Sequence, residues 1–144
     1  MPLHLQKLCV GAESIDDLQG WLAERLADKR RRGLPVEQVH VTRMTPKRVE
    51  EILDGGALYW VIKGVILVRQ NILELRALKD AGGVSRCGIV LQPELVRVTP
   101  QPRRPFQGWR YLAAADAPKD LAEMAGAEDL PPEVMRELRD LGLW

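Results

Sequence analysis

HVTRMTPKRVEEILDGGALYWVIKGVILVR, residues 40–69, decides the fold. Thr45 and Pro46 read as a helix opening: threonine accepts from a free first-turn N–H, and proline at the first helical position loses no bond it needs. Val49, Ile52 and Leu53 recur on one helical face. Gly55 and Gly56 end that helix. Residues 57–62 are continuously apolar, and 65–68 resume after Gly64, so both runs read as strands buried on two faces.

Outward from this centre, residues 3–10 suggest an opening strand that stops at Gly11. Ser14 caps a helix with Asp16 and Asp17 in its first turn, where negative charge suits the dipole. Ile15, Leu18, Leu22 and Leu26 form its apolar stripe, widened by Trp21. The run Lys29, Arg30, Arg31, Arg32 matches the helix C-terminus, and Gly33 ends it. Residues 36–42 give the next strand, and 72–75 extend the strand after Arg69. Residues 79–83 are a turn by composition. Residues 87–91 and 95–98, joined through Pro93, read as an antiparallel hairpin. Pro100, Pro102 and Pro105 forbid ladder hydrogen bonds and imply an extended, unpaired segment. The last stretch, 116–144, shows two helix openings at Pro118 and Pro131; it carries eight acids against three bases.

These elements predict one α+β domain over 1–144: a mostly antiparallel twisted sheet or small β-barrel over 1–115 with two helices, then an acidic helical segment over 116–144. The net charge of +1 gives no global attraction to nucleic acid or membrane. No run approaches the roughly 20 apolar residues of a bilayer span. The first residues lack the pattern of a secretory signal, so a cytoplasmic protein is expected. Cys9 and Cys87 are far apart, without C-x-x-C spacing, and read as two buried thiols with no metal site. No nucleotide-loop, metalloprotease or serine-hydrolase motif occurs, and no cofactor or catalytic residue is assigned. His4 and His40 read as hydrogen-bonded structural residues.

The remaining signal is basic residues beside aromatics. Arg43, Lys47 and Arg48 surround the expected helix start without an acid. Arg103, Arg104 and Arg110 interleave with Phe106, Trp109 and Tyr111, and four arginines lie between Glu94 and Asp116 with no acid. Two readings stand side by side: the rings staple a proline-rich loop to the sheet, or they stack on bases while the cations follow phosphates. The second makes the chain an RNA- or nucleotide-binding module through Arg43, Lys47, Arg48, Lys63, Arg69, Arg103, Arg104, Trp109, Arg110 and Tyr111. One alternative is a small hydrolase acting on a nucleoside or amide, with Lys63 or Lys47 near Glu50. Another is a protein-interaction domain working through a strand edge or the acidic tail.

The segments LHLQKLCVG (3–11), HVTRMTPKR (40–48), LYWVIKG (58–64) and RPFQGWRYL (104–112) resemble a family of small alphaproteobacterial proteins known as a domain of unknown function. That resemblance implies no activity, cofactor or site. In outline, residues 50–60 are also similar to the PUA-like group, which includes the ASCH and EVE domains: a short helix ends at glycine before a long strand. ASCH domains carry Gly-x-Lys-x-x-Glu-x-Arg there, whereas Gly56 is followed here by Ala57, Leu58, Tyr59, Trp60 and Val61. The ASCH chemistry is therefore not carried over. The PUA-like resemblance implies a small barrel and binding of RNA or modified nucleotides.

Overall fold

The computed structural model describes residues 2–121. The elements are β1 (Leu3–Leu8), α1 (Ile15–Arg31), β2 (Gln38–Thr42), α2 (Val49–Leu53), β3 (Ala57–Ile62), β4 (Val65–Lys79), β5 (Ser85–Leu91), β6 (Val96–Pro102) and β7 (Trp109–Ala113). They make an α+β fold. The strands form one open sheet in the order β2-β5-β4-β3-β1-β7, with β6 added on β4. The ladder between β1 and β3 is parallel, and the others are antiparallel. A parallel neighbour requires a long crossover, and α1, β2 and α2 all lie within it. The path ends at β2 and β7, so the sheet is not the closed barrel that the PUA-like resemblance implies.

α1 begins as its sequence requires. The Ser14 hydroxyl accepts from the Asp17 N–H at 3.1 Å, and Asp16 and Asp17 occupy the first turn. Every residue of β3 is buried, which explains its uninterrupted apolar run. β3 turns into β4 through Lys63 (φ 49°) and Gly64 (φ 80°). Positive φ at both central residues is the twist-matched geometry of a two-residue hairpin loop.

Three local expectations are corrected. α2 starts at Val49, and its cap position, Arg48, makes no side-chain capping bond, so Thr45 is not the cap. Residues 87–98 do not form a hairpin. β4 is 15 residues long, and β5 and β6 each run back along a different part of it: Ser85 to Leu91 opposite Lys79 to Ile72, and Val96 to Pro102 opposite Arg69 to Val65. The prolines do not end the pairing either. β6 has one ladder partner among the strands, where proline is tolerated, and the Arg103 N–H still donates to the Gly64 carbonyl at 2.8 Å.

Both faces of the sheet are covered. On one, Leu5, Leu58, Trp60, Ile62, Leu67 and Ile89 pack against Ala12, Ile15, Leu18 and Ile52, so both helices lie on this side. On the other, Tyr59, Val61, Ile66, Val98 and Leu112 pack with Leu8, Phe106 and Ala117. The chain after β7 returns along β6: Asp120 bridges Val98, and the Thr99 N–H donates to the Lys119 carbonyl at 2.8 Å. The two expected C-terminal helices fall on residues that, beyond Leu121, lie outside those described. No described helix is long and apolar enough to cross a membrane. Cys9, half-buried, and Cys87, buried, are free thiols.

Candidate functional site

Strand alternation divides the basic residues expected to share one groove. In β7, Trp109 and Tyr111 contact the helix-side core, while Leu112 belongs to the opposite core. Arg110 alternates with them and lies over the Phe106 ring, 5.2 Å from its centroid, on the side away from the helices. Arg103 joins it there by donating to Gln6 at 3.1 Å. Arg69 is also on that side and forms a bidentate pair with Asp120, both contacts at 2.7 Å. Arg104 is exposed in the loop before β7. Lys63 sits at the β3–β4 turn, 3.9 Å from Glu13.

Arg43, Lys47 and Arg48 go to the helix side, in the segment that leads from β2 past β7. The Trp109 indole N–H donates to the Met44 carbonyl at 2.7 Å. The Tyr111 hydroxyl accepts from the N–H groups of Lys47 at 3.0 Å and Arg48 at 3.4 Å. Those N–H groups are therefore occupied, and the two rings staple this segment to the sheet edge. Arg48 is also paired with Glu51 at 2.5 Å. A single groove holding all ten expected residues does not form. Nor do Lys47 and Glu50 pair with each other, and the Lys63 partner is the exposed Glu13, so no enclosed lysine–glutamate pair forms among the described residues.

A different constellation forms on the helix side, between β2 and the end of β1. These strands share no ladder, but the sheet curls enough that the His40 ring meets Trp60 edge-on at 5.1 Å. A cavity of about 200 Å3 lies there, lined by Lys7, Cys9, Trp21, Arg25, His40 and Trp60 among others, with no carboxylate in its wall. It shares Trp21, Arg25, Gln38 and Val39 with a larger groove of about 570 Å3 that runs between α1 and β2. Of the three acids that line this groove, Glu37 is engaged by Arg76 at 2.8 Å and Asp28 by Arg31 and Arg32 at 3.3 and 3.6 Å; the third, Glu24, does not line the inner cavity. Lys7 and Arg25 make no ion pair among the described residues.

The electrostatics of the cavity follow from that imbalance. Burial, then Lys7, then Arg25 push the His40 imidazole down to about 4, so it is neutral at pH 7. Burial lowers the Lys7 ammonium as well. Burial raises the Cys9 thiol to about 11, against the opposing pull of Arg25, which leaves it protonated and unreactive. His40 Nε2 is buried and has no hydrogen-bond partner among the described residues, which differs from the expected hydrogen-bonded structural role. His4 does meet that expectation, because its Nδ1 accepts from the Ala57 N–H at 3.0 Å.

The cavity wall is held by a buried amide. Gln70 is fully buried; its Oε1 accepts from the Trp60 indole at 2.9 Å and from Gln38 at 3.2 Å. Its Nε2 donates to Gln38 at 2.6 Å and to the Gln92 carbonyl at 3.0 Å. Both ends of the amide are satisfied, so Gln70 fixes Trp60 and Gln38.

Sequence reasoning passes over Lys7, Arg25, Trp60 and Gln70. Two of them carry a legible signal. Leu3, Leu5, Lys7 and Cys9 alternate onto one strand face, which places Lys7 on the core side. Leu18, Trp21, Leu22 and Arg25 follow helical spacing, so Arg25 lies at the exposed margin of the apolar stripe of α1.

No curated protein and no solved structure matches the chain. The family model described as "Protein of unknown function (DUF1489)" matches residues 5–144, nearly the whole length, and the chain therefore belongs to that family.

Proposed function

We propose that this protein is a non-catalytic binding module for a nucleotide or a nucleotide-bearing RNA segment, and that the ligand sits between α1 and β2. The observation that carries this reading is a cavity lined by two cations, Lys7 and Arg25, and by the rings of Trp21, His40 and Trp60, with no carboxylate in its wall. Lys7 and Arg25 supply charge for a phosphate. Trp21, at the boundary of cavity and groove, offers a ring for stacking.

Arg43 and Lys47 remain exposed on the helix side and are suited to outer phosphates. Arg69, Arg103 and Arg110, on the far side of the sheet, take no part in this site. Calorimetric titration of the full chain with adenosine 5′-monophosphate tests the reading. Binding is expected, weakened roughly tenfold to a hundredfold by Arg25→Ala, the span for a lost hydrogen bond to a charged group. An absence of heat at millimolar ligand, or equal affinity in the variant, contradicts it.

A further inference from the structure

We infer that the inner cavity receives a terminal phosphate monoester, the end group of a nucleotide or of an RNA strand, rather than an internal phosphodiester. This rests on the binding reading above and narrows it. Three observations carry it: size, charge and the placement of the rings.

Pockets that enclose a whole drug-sized ligand measure roughly 300–1,000 Å3. The inner cavity, at about 200 Å3, holds only part of such a ligand. A phosphate inside a strand carries a nucleotide on each side, and this space does not accommodate both. An end group needs room on one side, and the groove of about 570 Å3 that shares a wall with the cavity provides it.

Charge gives the same answer. A phosphate monoester carries about −1.5 to −2 at neutral pH, whereas a phosphodiester carries a single negative charge. Lys7 on β1 and Arg25 on α1 bring two positive charges to the cavity, and no carboxylate lines it. The outer groove is mixed in sign: Asp28 pairs with both Arg31 and Arg32, and Glu24 and Glu37 also line it. Arg25 and Lys29 line that groove too, so four cations meet three acids there, whereas the inner cavity has two cations and no acid; the positive charge least offset by carboxylates is at the inner end. Trp21 lies where the two spaces meet, one step outward from Lys7 and His40, as the ring beyond a bound phosphate requires.

The test compares the full-length protein's affinity for four probes: adenosine, adenosine 5′-monophosphate, the dinucleotide ApA and its 5′-phosphorylated form pApA. The two monoesters are expected to bind at least tenfold more tightly than adenosine and ApA. Lys7→Met, which keeps the buried stem of the side chain, and Arg25→Ala, at an exposed helix position, are each expected to shrink that preference several-fold. Circular dichroism checks that both variants are folded. Equal affinity for AMP and pApA identifies the nucleotide as the sufficient unit, and a further gain for pApA identifies the RNA end; either result supports the inference. Equal binding of ApA and pApA, both weakened by Arg25→Ala, overturns the end-group assignment and leaves the binding reading standing. Failure of all four to bind overturns both.

Discussion

Replacement of Gly56 by alanine is expected to cost at least about 3 kcal/mol of folding stability, the upper range for a forced fit into a packed site. A Cβ on this residue would lie 2.3 Å from the Ile52 carbonyl oxygen and 2.4 Å from that of Leu3. Both are backbone atoms and cannot swing aside. Gly56 is also tied in place: its N–H donates to Ile52 at 2.7 Å, and its carbonyl accepts from Ile72 at 3.0 Å. Relief requires moving the end of α2 or the start of β1, which carry Ile52 and Leu3 of the main core. Gly20 supplies the control. It lies in α1, and a methyl group added there would meet nothing within 4 Å, so Gly20→Ala should stabilise by up to about 1 kcal/mol. Urea denaturation at constant slope measures both. A loss under about 1 kcal/mol at Gly56 would show that the two carbonyls yield more easily than their packing implies.

Stability is expected to fall as the pH drops from about 6.5 to about 4, and His40 accounts for much of it. Its folded value is about 4 against an ordinary 6.5. Between those limits the unfolded chain binds a proton that the folded chain excludes. The His40 contribution is therefore fully present above 6.5 and is lost as pH falls through the folded value, for a total of about 3 kcal/mol. His4, lowered by burial and then by Arg69, acts in the same direction. Carboxylates such as Asp120 and Asp80, held down mainly by the Arg69 pair and the Val84 N–H respectively, lose their contribution at lower pH. His40→Leu should thus flatten the profile between pH 6.5 and 4 while leaving the lower limb unchanged. Denaturation midpoints at four pH values distinguish the cases, and superimposable slopes for the two proteins would exclude this role for His40.

Much of the fold is legible where local chemistry and burial agree. The apolar run of β3 and the Ser14 cap each leave one reading, and the structure has both. Legibility ends where a choice of partner is involved. Residues 87–91 and 96–98 are compatible with pairing to each other, but the length of β4 lets each pair with it instead. β7 is hidden behind the prolines, although Trp109 and Tyr111 alternating with Arg110 and Leu112 is a strand pattern. That alternation also explains why the basic cluster does not become one site: neighbours in sequence point to opposite faces. Thr45 resembles a cap, yet the N–H groups it would serve are taken by Tyr111, 64 residues from Lys47, and no local rule reports such a contact. Gln70 carries no signal at all, since an amide at the end of an apolar run does not announce that its partners are Trp60, Gln38 and Gln92.

Which face of the sheet meets the ligand is the most direct question, and nuclear magnetic resonance on the full chain answers it. Titration with adenosine 5′-monophosphate should shift the His40 imidazole, the Lys7 signals and the indole N–H resonances of Trp21 and Trp60, and leave Arg110 and Phe106 unmoved. Shifts confined to Arg103, Phe106 and Arg110 on the opposite face, or no shift at millimolar ligand, would contradict a binding site between α1 and β2.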